Sequence, residues 1–144
     1  MSRRVVVVGG LVAVGGAYWF MREAKGVAAG IISAEDALAG VVAGTLVLID
    51  IRRPDEWGRT GIARGAQPLD MRRDDFDRAL LELVGGVRDM PMALICARGV
   101  RSHRMVRRLT RAGFTDVLDV SEGMLGSAAG PGWLARGLPV EQPA

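Results

Sequence analysis

One cysteine and one histidine are all that the 144 residues offer of the two side chains most used to bind metals. A single cysteine excludes an internal disulfide and leaves the redox compartment open. A lone cysteine with a lone histidine makes no zinc ligand set, so neither a metal nor any other cofactor is implied. Aromatic residues are scarce at 5%, and none is interleaved with the arginines of the 101–111 stretch. Without rings for bases to stack on, nucleic acid is a poor candidate partner. The net charge of +3 does not restore it: once Arg3 and Arg4 are set aside, 17 basic residues face 16 acidic ones.

Charge is missing altogether from Val5 to Met21, between a basic start (residues 1–4) and Arg22, Glu23 and Lys25. As a helix those residues rise about 25 Å, the short end of what spans a bilayer core. Gly9, Gly10, Gly15 and Gly16 suit a membrane helix better than a helix in water, and Tyr18-Trp19-Phe20 has the character of an interfacial belt. The expectation is a single-pass transmembrane helix over 5–21, with a linker over 22–30 and one globular domain over 31–142. A cleaved signal peptide, with small residues at Ala24 and Val27-Ala28-Ala29, and a buried segment of the fold are the alternatives. Arg3 and Arg4 nearly balance Arg22 and Lys25 across the segment. Glu23 offsets the far side, which tips the domain towards the outside of the cytoplasm.

From Ile31 onward the pattern is that of an α/β domain. Ile31-Ile32 suits an edge strand, and Ser33 is an N-cap with Glu35 and Asp36 in the first turn of a helix ending near Gly40 or Gly44. Leu46 to Ile49 is a continuous apolar run of strand length, suited to a parallel strand covered on both faces. Phe76, Leu80, Leu83 and Val84 recur at helical spacing within Asp74–Val84, ended by Gly85-Gly86. Ala93–Ile95 and Val117-Leu118 are further strands. A helix is expected from Ser102 to Ala112, stopped by Gly113. Gly126 to Gly132 reads as a flexible surface insert.

The most informative stretch is Ala93 to Ser102, where an apolar strand ends in Cys96 and a glycine-centred loop leads into a helix. Ligands bind at the carboxyl ends of strands in open α/β sheets. Backbone N–H groups at a helix start favour a negative sulfur there. Cys96 is therefore the candidate nucleophile, and Ala97, Arg98, Gly99, Val100, Arg101 and Ser102 form a candidate anion-binding loop, with Arg98 and Arg101 supplying positive charge. One position into the helix, the His103 ring is expected at the surface rather than as a base. The stripe Arg101, Arg104, Arg108 and Arg111, with Arg107 beside it, reads as a solvated face, with acidic lipid headgroups the alternative partner if the domain lies against a membrane.

Cys-x-x-Gly-x-Arg-Ser after an apolar strand resembles the active-site loop of the rhodanese (sulfurtransferase) family. The likeness continues in Asp50-Ile51-Arg52-Arg53-Pro54-Asp55-Glu56-Trp57, in Gly61–Ala66, in Gly113-Phe114 through Asp119-Val120, and in Glu122-Gly123-Met124, Trp133 and Gly137–Val140. It spans Ile31 to Val140, with Ile62 and Arg64 replacing the histidine and proline usual in the family. The resemblance implies a three-layer fold, a central parallel sheet flanked by helices, here preceded by the N-terminal helix. It implies transfer of sulfane sulfur from thiosulfate or a persulfide to a thiol or cyanide through a Cys96 persulfide. Asp50 and Arg52 are supporting residues, Asp50 by hydrogen bonds at the strand end and Arg52 by positive potential or an ion pair. Two other readings stay open: a persulfide-carrying binding or sensing module at the membrane, and an arsenate reductase or phosphatase. The six residues from Cys96 to Arg101 match the sulfurtransferase loop, one shorter than that of related phosphatases.

Overall fold

The computed structural model describes residues 30–144. The basic N-terminus, the helix expected over 5–21 and all of the linker except Gly30 lie outside the described residues. Among the described residues no helix is long and apolar enough to cross a membrane.

The chain runs α1 (Ala34–Val42), β1 (Val47–Asp50), α2 (Pro54–Thr60), β2 (Ile62–Ala63), β3 (Gln67–Pro68), α3 (Phe76–Leu83), β4 (Met92–Ile95), α4 (Val100–Arg111), β5 (Val117–Asp119) and β6 (Val140–Glu141). Four strands form one parallel sheet in the order β3-β1-β4-β5, and β2 pairs antiparallel with β6. Alternation along the strands builds two cores. Leu48, Ala93, Ile95 and Leu118 face α1 and the C-terminal segment around Met124 and Trp133. Ile49, Met92, Leu94 and Val117 face α3 and α4, against Phe76, Leu80, Met105 and Leu109. The result is the expected three-layer arrangement. Residue 96 falls in register with Leu94, so the cysteine is delivered to the side of the sheet that α4 covers.

Several boundaries differ from expectation for local reasons. The edge strand at Ile31-Ile32 reduces to one parallel bridge, Ile31 with Asp119, flanked by Ile32 N–H on Asp119 O (3.0 Å) and Asp119 N–H on Gly30 O (2.7 Å). Helix α3 starts at Phe76, with Asp75 at its N-cap position, although the Asp75 carboxylate is bound by Arg73 and Arg78 and not by the helix backbone. Helix α4 starts at Val100 rather than Ser102. Gly99, with φ of 84°, turns the chain so sharply that Val100 is already helical. Ser33 caps α1 as expected, accepting from Asp36 N–H at 3.1 Å.

The insert at 126–132 is a tight turn held by its own hydrogen bonds, not the flexible segment expected. Ser127 and Gly130 pair across it, the Ser127 hydroxyl donates to Ser121 O at 2.8 Å, and Gly126 and Gly132 are buried where backbones nearly touch. Glu122, 3% exposed, ties this turn to the rest of the domain. Its carboxylate accepts from Ala34 N–H (2.8 Å) at the start of α1, from Gly132 N–H (3.1 Å) and from Arg136 Nε (2.8 Å). Removing it leaves buried amides unpaired. Glu122→Ala is expected to lower stability by about 3 kcal/mol, read as a shifted urea midpoint at unchanged slope.

Candidate active site

Cys96 follows the last residue of β4 and is 1% exposed. Its side chain belongs to the apolar cluster that includes Leu94 and Met105, and its sulfur meets polar groups of the loop as well. Gly99 N–H donates to Sγ at 3.2 Å and Ser102 N–H at 3.4 Å, while the thiol and the Ser102 hydroxyl lie 3.3 Å apart. The Ser102 hydroxyl also donates to Gly99 O at 3.2 Å, closing the loop on itself. Of the loop amides expected around the sulfur, those of Gly99 and Ser102 are the ones that reach it.

The loop holds this shape because its other side is pinned. Met124 N–H donates to Cys96 O (2.9 Å) and Leu125 N–H to Ala97 O (2.8 Å). In a planar trans peptide the N–H points opposite the C=O, so the Ala97 and Arg98 amides face away from those donors. Gly99 is required twice over: its φ is left-handed, and a Cβ there would lie 2.1 Å from Ser121 O. Gly123 is its counterpart, since a Cβ at 123 would lie 2.4 Å from Ala97 O. Val100, 58% exposed, stands on the outer rim.

The two loop arginines have different roles from the shared one expected. Arg101 forms a two-point pair with Glu56 of α2, Nη1 to Oε2 at 2.8 Å and Nη2 to Oε1 at 2.7 Å. Its guanidinium is fixed in place but partly neutralised. Arg98 is exposed, its Nη1 3.2 Å from Gly126 O, and has no acidic partner among the described residues. Arg98 and the loop amides therefore carry most of the unbalanced positive character. His103 is exposed, as expected, with Nδ1 3.9 Å from Asp119 Oδ2.

Asp50 and Arg52 make a buried node beneath the loop. They are 0% and 1% exposed, paired through Arg52 Nη2 and Asp50 Oδ2 at 2.8 Å. Asp50 Oδ1 also accepts from Arg52 N–H (3.0 Å) and from Trp57 Nε1 (3.2 Å), so Trp57 is a half-buried member of this node. Arg52 spends its remaining donors on Thr60 Oγ1 (3.0 Å) and Gly61 O (2.9 Å). The node fixes both ends of α2 relative to β1, and α2 in turn presents Glu56 to Arg101. Arg52 thus acts as an ion-pair partner, not as a source of potential for the sulfur. Among the described residues no cluster of histidine, cysteine, aspartate or glutamate is placed to hold a metal.

The rhodanese-like domain family matches residues 33–129, about two-thirds of the chain. The chain belongs to that family. No curated protein matches it. Among solved structures, thiosulfate sulfurtransferase from Pseudomonas aeruginosa is 23% identical with a TM-score of 0.64, covering 81% of this chain and 21% of its own. The polysulfide-sulfur transferase homodimer from Wolinella succinogenes is 23% identical with a TM-score of 0.61, covering 78% of each chain. A protein from Rhodopseudomonas palustris described as a possible tyrosine phosphatase is 23% identical with a TM-score of 0.58, covering 78% of this chain and 85% of its own. At this distance the neighbours share the fold.

Sequence reasoning named the loop but assigned no role to Glu56, Glu122 or Asp119. An acid following Pro54 and a buried-strand aspartate were the available signals, yet their partners are 45, 88 and fewer residues away in ways that only folding reveals. Arg101 holds the Glu56 carboxyl down to about 2, with burial opposing and the Arg53 amide and charge assisting. A carboxyl depressed in the fold contributes stability above its ordinary 4.5 and loses it as pH falls towards 2. In the pH 5 to 2 window the wild type is expected to lose about 2 kcal/mol that Glu56→Gln never had, measured by denaturant titration at each pH.

Proposed function

We propose that the protein is a sulfurtransferase that carries sulfane sulfur as a Cys96 persulfide. The observation that supports this most is the pair of amides, Gly99 and Ser102, converging on one sulfur at the mouth of a six-residue loop. The Cys96 thiolate attacks the outer sulfur of thiosulfate; a new S–S bond forms, the old one breaks, and sulfite leaves with the electron pair. A thiolate or cyanide then attacks the terminal sulfur of the persulfide, and Cys96 recovers the electron pair as thiolate. The amides stabilise negative charge on sulfur throughout. Arg98 meets the sulfonate end of the donor, and Arg101 stands behind it, held by Glu56.

With the residue 1% exposed, the donor's outer sulfur must enter the loop. The persulfide then projects the transferred atom outward by an S–S bond of about 2.05 Å, which brings it to the acceptor. The phosphatase-like reading has the Rhodopseudomonas palustris neighbour in its favour. Against it stands the loop length, which leaves less room for a tetrahedral oxyanion. The uncharged run Val5–Met21 supports a single-pass tether for the domain, testable with C-terminal reporter fusions active on one side of the membrane only.

Mass spectrometry after incubation with thiosulfate is expected to find one added sulfur on Cys96, removed by cyanide as thiocyanate. Cys96→Ser is expected to gain none. A phosphate or arsenate adduct, or no added sulfur with any sulfane donor, overturns the proposal. Gly99→Ala, which cannot keep the turn, is expected to lower turnover about a hundredfold while Cys96 remains present.

A further inference from the structure

Asp119 is a buried acid for which the sulfur cradle has so far no use. Leu94 of β4 and Asp119 of β5 are partners across the parallel sheet. Cys96, two residues after Leu94, and Val117, two residues before Asp119, both belong to the core that α4 covers. Alternation along a strand therefore puts the Asp119 and Cys96 side chains on that same face, beneath the start of α4. The helix start lies close over them. A Cβ at Gly99 would lie 2.1 Å from Ser121 O, and His103 Nδ1 stands 3.9 Å from Asp119 Oδ2. Ser102 of the same turn is fully buried, its hydroxyl 3.3 Å from Cys96 Sγ.

Donors are scarce there. Asp119 is 1% exposed; its Oδ2 accepts from the Ser121 hydroxyl at 2.8 Å, and its Oδ1 has no hydrogen-bond partner among the described residues. Buried acceptors are nearly always paired, so the orphan oxygen needs an explanation. Ser102 has a single hydroxyl hydrogen, and Gly99 O takes it at 3.2 Å. Burial pushes the Asp119 carboxyl up, against the pull of the Ser102 and Ser121 hydroxyls and the His103 charge. His103 is the charged group that faces the carboxylate from α4, and Arg98 and Arg104 line the open groove beside it. Ile31 and Ile32, against the other edge of β5, bring no charge. Arg101 faces Cys96.

We infer that Cys96 and Asp119 share one proton through the Ser102 hydroxyl. In the first arrangement the thiol donates to Ser102 Oγ, the Ser102 hydroxyl donates to Gly99 O, and Asp119 is a carboxylate with Oδ1 unpaired, which matches the hydrogen bonds of the structure. In the second, the thiol proton passes to Ser102 Oγ as the Ser102 proton passes to Asp119 Oδ1. The S–H bond breaks, an O–H bond forms on Asp119, and the single negative charge moves from carboxylate to sulfur. The sulfur then accepts from the Gly99 and Ser102 amides and from the Ser102 hydroxyl, while Oδ1, now a donor, is paired with Ser102 Oγ. Gly99 O keeps the His103 amide at 3.0 Å. Asp119 is thus a positioning residue, which acts on the nucleophile through Ser102. The inference rests on Cys96 as the nucleophile and not on which sulfur compound it attacks. Groups coupled in this way titrate as a pair in two macroscopic steps, and between those steps the thiolate fraction does not change with pH.

Two measurements test this. The first is the rate at which iodoacetamide alkylates Cys96 as a function of pH. In wild type it is expected to rise, hold level over about one pH unit or more, and rise again. Asp119→Asn, whose amide cannot take the proton, is expected to show one rise with no level portion, and His103→Gln to keep both rises. The second follows the Asp119 carboxyl carbon by NMR of isotope-labelled protein. It is expected to move in two steps in wild type, the upper one together with Cys96 Cβ, and in one step in Cys96→Ser and Ser102→Ala. Wild type capped at sulfur with methyl methanethiosulfonate, which needs no variant to fold, is expected to lose the upper step as well. A single rise in wild type, or an upper step that survives capping, overturns the inference. So does an Asp119 carbon that follows Cys96 equally well in Ser102→Ala, which reduces the link to charge alone. Absence of added sulfur from any sulfane donor defeats the sulfurtransferase reading and leaves these titrations to decide the shared proton by themselves.

Discussion

The structure depends on two peptide N–H groups aimed at one sulfur. Neither Gly99 nor Ser102 could hold that aim alone, because a turn of this length has many conformations and each hydrogen bond to sulfur is weak. The aim is imposed from behind. The carbonyls of Cys96 and Ala97 are bound by the Met124 and Leu125 amides, and Gly99 lies so close to Ser121 O, and Gly123 to Ala97 O, that neither position has room for a side chain. The Glu122–Leu125 segment is therefore as much a part of the candidate site as the loop itself. Its own position is held by the Glu122 carboxylate, which reaches α1, Gly132 and Arg136.

A second line of support reaches the loop from the other side, and it is made of charge. Asp50 and Arg52 are a buried pair, costly to desolvate, and become favourable because all three nitrogens of the Arg52 guanidinium group and both oxygens of Asp50 find partners. That node fixes α2, and α2 supplies Glu56 to Arg101. Lysine could not substitute at either arginine, since both bind in two-point geometry to a carboxylate. The consequence is a rigid cation at the edge of the loop, placed by a chain of contacts that begins at the end of β1.

How much of this was legible beforehand follows from what each signal encodes. The apolar runs at 46–49 and 93–95 are local, and strands formed there; Gly113 with φ of 94° is local, and α4 stopped there. The loop was legible because its residues are contiguous. The start of α4 was misplaced because Ser102 has the chemistry of an N-cap, yet its hydroxyl is engaged by Gly99 O and the sulfur. The Glu56–Arg101 pair was illegible because it joins residues from different crossovers of the sheet. Gly126–Gly132 was read as flexible on composition alone. Those glycines are instead needed for positive φ and close backbone approach, which is order rather than freedom.

The charge at the candidate centre also bears on how a rigid cradle would serve the proposed two-step transfer. A thiolate and a persulfide anion carry the same unit charge, displaced by one S–S bond. Fixed dipoles that stabilise one therefore stabilise the other without rearrangement, and preorganised donors act best when nothing has to move. In the proposed transfer, what differs between the half-reactions is the visitor: a dianionic donor in the first, a thiolate or cyanide in the second. An arginine already saturated by Glu56 discriminates little between them, whereas Arg98, free of acidic partners among the described residues, attracts the more highly charged donor. The positive character of the mouth is thus concentrated on Arg98, which leans on the Gly126 carbonyl at the edge of the sulfur cradle.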